Sequence, residues 1–100
     1  MTTPITQQAH RPWFPLGRLL ITPGAQAALE QAQRSPAEFI RRHQGGDFGE
    51  LDGEDQAANQ AALHYGTRLL SSYSVDTDCT LWIITEADRS ATTLLLPEEY

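Results

Sequence analysis

The clearest hydrophobic pattern in the chain is near its C-terminus, where two apolar runs flank a short polar link. The runs are residues 81–84 and 94–96, and the link is residues 86–90. β-Branched and aromatic residues, then turn-forming residues, then a second apolar run are typical of a β-hairpin. Successive side chains of a strand point to opposite faces, and all four residues of the first run are apolar. The pattern therefore predicts a strand that is covered on both sides.

Three helix starts are marked by capping residues that precede helix-forming sequence. Thr22 and Ser35 each stand before a proline, which suits the first helical position. Glu38, three residues after Ser35, predicts a reciprocal capping box. Asp52 caps a third helix, and Gly66 ends it. The predicted helices span residues 23–33, 36–43 and 53–65, and two further strands span residues 16–21 and 67–75.

The elements run in the order strand, three short helices, three strands. Short links between the last three strands favour an antiparallel meander. We therefore predict one α+β domain over residues 13–100, with a four-stranded, mostly antiparallel sheet and the three helices on one face. Residues 1–12 are polar and without periodicity, and we expect them to form a flexible N-terminal tail.

The sheet face that bears Trp82 and Ile84 needs a cover of its own, because the helices are short and rich in alanine. Two covers fit the sequence. Trp13 and Phe14 fold back over this face, or a second copy of the chain covers it in a two-fold homodimer. The expected inward positions of the third helix illustrate the shortage of large side chains: they are Ala57, Ala58, Ala61, Ala62 and Tyr65.

The charge of the chain is acidic and unevenly distributed. The formal net charge is −6, from thirteen acidic residues and seven basic ones, all of which are arginine. Five of the acids fall within residues 47–55. Nonspecific binding to nucleic acid requires clustered positive charge, so this balance argues against direct contact with DNA or RNA. It favours an acidic surface that docks on a basic protein.

The location is expected to be cytoplasmic. No run approaches the ~20 apolar residues that span a bilayer. The first twelve residues lack the apolar segment of a secretory signal. The one cysteine, Cys79, has no second cysteine with which to form an internal disulfide, which agrees with a reducing compartment.

Four segments together carry a resemblance to known proteins: PLGRLLITPGA, GGDFGELDGED, RLLSSY and WIITEADRSATTLLLPEEY. The combination resembles a group of small bacterial proteins of about this length, called plasmid-related, which are carried on plasmids and integrative elements. The likeness covers residues 14–100, and its last segment is the most specific. It implies a genetic setting, in which genes often serve transfer, maintenance or evasion of host defence. It implies no mechanism.

Two polar clusters are candidate partner-binding sites. One is the glycine-rich acidic loop before the third helix, and the other is the hairpin link, whose charged groups offer charge-assisted hydrogen bonds. Each has a structural alternative: the loop acids are solvated and cap a helix, while Asp88 shapes the turn and Arg89 pairs locally with Glu86 or Asp88. The partner-binding hypothesis names Asp47, Glu50, Asp52, Glu86, Asp88 and Arg89.

The remaining reactive residues favour structural roles. His43 and His64 lack the close paired spacing of a zinc motif, and we expect both at the surface or at a helix end. Cys79 has no histidine near it in sequence, which indicates an inert strand cysteine rather than a nucleophile. The acidic loop does not have the spacing of an EF-hand, and the glycines do not form a phosphate-binding loop. No cofactor and no metal are expected.

The function predicted from these observations is that of a non-enzymatic accessory protein of a mobile genetic element, acting by protein–protein binding. An inhibitor of a host nucleic-acid-handling or defence enzyme, of the anti-restriction or anti-CRISPR kind, is the specific version. The alternative is a small enzyme or ligand-binding protein with a site near the acidic loop and the turn at residues 86–90. That site would need Asp47, Glu50, His64 and Arg89 to converge. A DNA-binding regulator is opposed by the charge.

Overall fold

The computed structural model describes residues 12–100. The predicted flexible tail lies outside the described residues, except for Pro12. The elements follow in the predicted order, and a short 3-10 turn over Pro97–Glu99 comes after the last strand. Their bounds are β1 Arg18–Ile21, α1 Pro23–Ala32, α2 Pro36–Gln44, α3 Gly53–Tyr65, β2 Leu69–Asp76, β3 Cys79–Thr85 and β4 Ala91–Leu95.

The sheet has four strands in the order β1-β4-β3-β2. β2, β3 and β4 form the predicted antiparallel meander, in which Ile83 lies between Ser71 and Leu94. β1 joins the other side of β4 in parallel, with Leu20 beside Thr93. The α+β class and the mostly antiparallel sheet are therefore confirmed. The three helices form the crossover that a parallel connection requires.

All three predicted N-cap residues are confirmed. The Thr22 hydroxyl accepts a hydrogen bond from the Ala25 amide at 3.1 Å, and the Asp52 carboxylate accepts one from the Asp55 amide at 2.8 Å. The predicted capping box at Ser35 is wrong, because the hydroxyl accepts from the Ala37 amide instead.

Glu38, the other half of the predicted box, points to a different partner. Its carboxylate forms a two-pronged ion pair with the Arg34 guanidinium, which also donates to the carbonyl of Val75 at 2.9 Å. A charge-assisted, bidentate pair is stronger than a single bond to a backbone amide. The pair of Glu38 and Arg34 therefore connects the start of α2 to the link that follows α1, and Arg34 connects both to β2.

The main core lies between one face of the sheet and helices α1 and α2. Leu29 of α1 and Phe39 of α2 are almost fully buried against Tyr73, Leu81 and Ile83 of the sheet. A smaller cluster joins Phe14, Ala62 and Leu69 near the end of α3. Burial of such side chains contributes roughly 1.5–3 kcal/mol each to folding.

Helix α3 packs differently from the prediction. Of its thirteen residues only Asn59 and Ala62 are buried, whereas Ala57, Ala58, Ala61 and Tyr65 are exposed. The reason is that α3 lies along the outer edge of β2 and does not rest an apolar stripe on the sheet.

A single side chain makes this edge packing specific. The Asn59 side-chain amide donates to the Leu70 carbonyl at 2.5 Å, and its oxygen accepts from the Leu70 amide at 3.0 Å. Asn59 thus replaces, at this position, the neighbouring strand that β2 lacks. The helix therefore contacts the sheet through a buried asparagine, whereas the sequence pattern predicted contact through alanines.

The expectation that Trp13 and Phe14 cover the face with Trp82 is wrong. Phe14 is buried on the helix side, where its ring meets the His43 ring edge-on with the centroids 5.2 Å apart. Trp13 is 58% exposed. The Trp82 face is closed in part by the chain end, since the Tyr100 ring stands edge-on against Trp82 at 5.8 Å. Trp82 remains half-buried.

We predict that Trp82→Ala lowers the free energy of unfolding by about 2 kcal/mol, because a half-buried ring loses part of the 3–5 kcal/mol typical of a fully buried aromatic side chain. Urea denaturation measures the change. Tyr100→Ala is the matched control. It removes the same ring contact from a side chain that is 72% exposed, so the loss should be smaller. Equal stability of wild type and Trp82→Ala would contradict the packing described.

Candidate functional site

The acidic loop is fixed to the edge of β2. The Glu50 amide donates to the Ser72 carbonyl at 2.6 Å, and the Ser72 amide donates to the Phe48 carbonyl at 3.0 Å. Between them Gly49 has a φ of +78°, and a Cβ there would lie 2.1 Å from the Ser72 carbonyl oxygen. Only glycine allows this close approach. The loop is therefore held as a short extension of the sheet.

Side chains hold the same loop at its beginning. The Tyr73 hydroxyl donates to the Asp47 carbonyl at 2.7 Å, and the Arg42 guanidinium pairs with the Asp47 carboxylate at 2.7 Å. The hydrogen bond from Arg42 is the main cause that lowers the pKa of Asp47, and the amide of Gly49 adds to it. Asp47 is thus exposed but has its own counter-charge.

The other acids of the loop are exposed and lack a basic partner. Among residues 12–100 the ion pairs are Arg34–Glu38 and Arg42–Asp47. Asp52, the cap of α3, is joined in its first turn by two further acids, where the helix dipole favours negative charge. Glu50 is held in place by the Ser74 hydroxyl, which donates to it at 2.8 Å. Within the loop and the first turn of α3, the exposed carboxylates without a cation are those of Glu50, Asp52, Glu54 and Asp55.

The hairpin link forms a tight turn, and the Asp88 side chain stabilises it. Its carboxylate accepts a hydrogen bond from the Ser90 amide at 3.0 Å, which is the pattern of an Asx turn. Hydrogen bonds from Ser90 lower the pKa of Asp88. Glu86 and Asp88 remain exposed at the tip.

Arg89 turns inward from the same link. Its guanidinium donates to the carbonyls of Thr67 at 2.6 Å and Ala62 at 3.1 Å, as well as to those of Glu86 and Ala87, both at 3.1 Å. The expected pairing with a carboxylate of Glu86 or Asp88 is therefore wrong. Carbonyls at the end of α3 carry partial negative charge, and this explains why the guanidinium binds them. Arg89 ties the turn to the end of α3.

The two acidic regions lie at opposite ends of α3. Glu50 and Asp52 are beside its start, and the turn with Arg89 is at its end, so the thirteen helical residues place roughly 20 Å between them. A depression of about 240 Å³ beside Asp47 contains neither Glu50, His64 nor Arg89. The convergence that an enzyme site would need is not present in the described residues.

Replacement of Arg89 separates a structural role from a binding role. Arg89→Ala removes the bonds to the end of α3 but keeps the Cβ that the wild type already has at a φ of +61°, and we expect it to lower the free energy of unfolding by about 2 kcal/mol. Arg89→Gly removes the same bonds without the backbone strain, so it should retain about 1 kcal/mol more. Chemical denaturation of both variants tests this. Unchanged stability of both variants would contradict the structural role of Arg89.

His43 is the polar residue at the centre of the fold. It lies in the last turn of α2, which confirms the helix-end position that was one of the two expected, but its ring has no exposed surface. Nδ1 is 2.5 Å from the Ser71 hydroxyl, and Nε2 is 2.8 Å from the Thr85 hydroxyl. The sequence offered no local signal for this contact, because Ser71 and Thr85 are distant in the chain and come from two strands.

The direction of this hydrogen-bond chain follows from its far end. The Thr92 hydroxyl donates to the Leu16 carbonyl at 2.8 Å, which is an acceptor only. Thr92 therefore accepts from the Thr85 hydroxyl, 2.7 Å away, and Thr85 accepts from Nε2 of His43. His43 therefore has a proton on Nε2, and in the neutral ring Ser71 donates to Nδ1.

Burial agrees with a neutral ring. Burial, together with the positive charge of Arg89, lowers the pKa of His43 to about 4. A serine beside a histidine is the arrangement of an activated nucleophile. Here Ser71 and His43 have no exposed surface, so a substrate does not reach them. The chain of hydroxyls is a structural connection between α2 and three strands.

The neutral histidine predicts a loss of stability in mild acid. The unfolded chain binds this proton below about pH 6.5 and the folded protein below about pH 4, so stability falls as the pH drops through this window and the loss then levels off. The total is about 3 kcal/mol. Urea denaturation at several pH values between 7 and 4.5 measures most of it, and a variant without the histidine separates it from the carboxylates that begin to protonate at the lower end of this range.

His43→Gln is the control for this prediction, since an amide also accepts from one hydroxyl and donates to the other. The variant should be less stable at pH 7 but should lose most of the pH dependence between 6.5 and 4.5. Detection of the ring nitrogens by NMR should show a proton on Nε2 at pH 7. A proton on Nδ1, or a wild-type stability that is constant through this window, would contradict the assignment.

The remaining candidate reactive groups are the thiol of Cys79 and the side chains that could bind a metal. Burial raises the pKa of the Cys79 thiol, and the charges of Asp76 and Glu98 raise it further, which is the opposite of an activated thiolate. His64 packs against the ring of the neighbouring Tyr65, with centroids 4.8 Å apart. Among residues 12–100, no three side chains of the types His, Cys, Asp and Glu come together as metal ligands.

Comparison with known proteins finds no family model, no curated protein and no solved structure that matches the chain. The helices of residues 12–100 include none that is long and apolar enough to cross a membrane. The geometry of the chain itself is therefore the basis for a functional conclusion.

Proposed function

We propose that this chain is a non-enzymatic protein-binding module whose acidic loop docks on a basic surface of a partner protein. The observation that carries the proposal is the fixed position of four exposed carboxylates without a cation beside the edge of β2. A rigid loop loses little conformational entropy on binding, so more of the attraction appears as affinity. The partner-binding set keeps Asp47, Glu50 and Asp52, with Glu86 and Asp88 as a second region, and Arg89 supports the turn from inside.

A nucleic-acid-handling enzyme is the partner that fits this surface by its chemistry. Its DNA site is lined with lysine and arginine, which an acidic protein of net charge −6 occupies in place of phosphates. Such an inhibitor suits the resemblance to proteins of plasmids and integrative elements, where anti-restriction and anti-CRISPR functions occur. In this proposal the chain works in the cytoplasm and does not bind nucleic acid itself.

The test is capture of partners from a bacterial lysate on the immobilised protein, at about 50 mM and then about 300 mM salt, with identification by mass spectrometry. The loop variant combines Glu50→Gln, Glu54→Gln and Asp55→Asn, and it leaves the cap Asp52 in place. The matched control changes the same number of charges outside both acidic regions, with Glu30→Gln, Asp78→Asn and Glu98→Gln.

We expect a basic, nucleic-acid-binding protein to be captured at low salt, lost at the higher salt, retained by the control and lost by the loop variant. The affinity for the purified partner should fall about tenfold or more when three charges are removed. A partner held equally by both variants would show that the acidic loop is not the binding surface. Capture of nothing under either condition would contradict the protein-binding function.

A further inference from the structure

One edge of the sheet is covered by other parts of the chain, and the other edge is exposed. The edge of β2 is covered by Asn59 and by the loop around Gly49. β1, at the other edge, is exposed along its whole length, and its three apolar side chains Leu19, Leu20 and Ile21 are 53%, 41% and 37% exposed. Soluble proteins usually protect an edge with charges, proline or a bulge, because bare strands pair with other strands. An apolar, regular edge is the exception that needs an explanation.

The backbone of β1 has hydrogen-bonding groups that point away from the sheet. The amides of Arg18 and Thr22 donate to the carbonyls of Ser90, just before β4, and of Leu94 in β4, at 2.9 and 3.0 Å. Backbone groups alternate in direction along a strand, so the amides and carbonyls of Leu19 and Ile21 point to the open side. Within residues 12–100 no strand lies there. The edge therefore offers two donors and two acceptors in the pattern that an added strand requires.

We propose that this edge binds a second copy of the chain, with the two β1 strands antiparallel around a two-fold axis at Leu20. The inference is independent of the acidic loop and goes beyond the proposed function. The axis at Leu20 places Leu19 opposite Ile21 of the second copy, so all four free backbone groups of each strand are paired. The product is one continuous sheet of eight strands.

Other two-fold registers leave the extended part of the strand. An axis at Leu19 would need Gly17, which has a φ of +66° and is not extended. An axis at Ile21 would need Pro23, which has no amide hydrogen and begins α1. The register at Leu20 is the one that uses residues 18–22 alone.

The helix side of the proposed pairing is already shaped to receive apolar groups. Two shallow depressions of about 240 and 210 Å³ border β1, and their linings include Ile21, Pro36 and Ile40. In the register at Leu20, Leu19 and Ile21 of the second copy lie on this side, next to both depressions. Their burial supplies the hydrophobic part of the association.

Charge complementarity is the argument for a second copy over an unrelated strand. The same register places Arg18 opposite Thr22 of the second copy, and both side chains are on the face away from the helices. The Thr22 hydroxyl donates to the Glu99 carboxylate at 2.5 Å. Each Arg18 thus meets the carboxylate beside the other Thr22, and the symmetry makes this pair twice. These pairs offset the repulsion between two chains of net charge −6.

Disulfide trapping tests the register directly, in full-length protein with Cys79→Ser. Leu20→Cys places two thiols on the axis, in a pair of residues whose Cα atoms are about 4.5 Å apart, within reach of a disulfide. Leu19→Cys is the matched control. In this register residue 19 is opposite residue 21 of the second copy, so the two cysteines at position 19 lie two residues apart along the strands. Their Cα atoms are about 8 Å apart, which is too far for a disulfide. Mild oxidation should cross-link most of the first variant and little of the second.

Light scattering over a concentration series up to about 100 µM tests the association itself. The wild type should reach twice the 11.1 kDa of one chain, Leu19→Lys should stay monomeric, and Arg18→Glu should raise the Kd about tenfold or more. Trp82→Ala should keep the dimer mass. A monomer at all concentrations would overturn the proposal, and so would a dimer that Trp82→Ala dissociates and Leu19→Lys does not, because the interface would then be the opposite sheet face.

Discussion

The fold depends on one buried hydrogen-bond chain, which runs from Ser71 through His43, Thr85 and Thr92 to the Leu16 carbonyl. It connects α2 to three strands and to the segment that leads into β1. Every group in it has a partner, and among residues 12–100 no buried side-chain nitrogen or oxygen is left without one. Because each hydroxyl must point one way for the next to be satisfied, the chain fixes the strands' relative positions more narrowly than apolar contacts alone would.

A second constraint is the unequal treatment of the sheet edges. The Asn59 side chain and the loop around Gly49 satisfy the open-side backbone groups of Leu70 and Ser72 in β2, and this brings the acidic residues to that side of the molecule. The apolar β1 lies at the other side. The distribution of charge is therefore a consequence of topology: the crossover from β1 to β2 carries the loop, and strand order places β1 and β2 at the two ends of the sheet.

Local signals in the sequence predicted the local structure well. The caps at Thr22 and Asp52, the stop at Gly66 and the hairpin of β3 and β4 each depend on neighbouring residues, and all are present. The errors arose where a side chain had a choice of distant partners. Glu38 binds Arg34, Arg89 binds carbonyls of α3, and Phe14 packs against His43. Such choices depend on which segments meet in space, and hydrophobic periodicity does not contain that information.

The parallel pairing of β1 with β4 has a consequence for the order of folding. β2, β3 and β4 are neighbours in sequence and close short loops, whereas β1 reaches β4 across almost the whole chain. Loop closure of that length is slow relative to hairpin formation, so we expect β1 to join the sheet late. The regular edge of β1 is then complete only after β2, β3 and β4 have paired, and until that point the open edge of the sheet is β4. The same residues that would make a misfolded chain adhesive are thus presented after the rest of the molecule has reached its native shape.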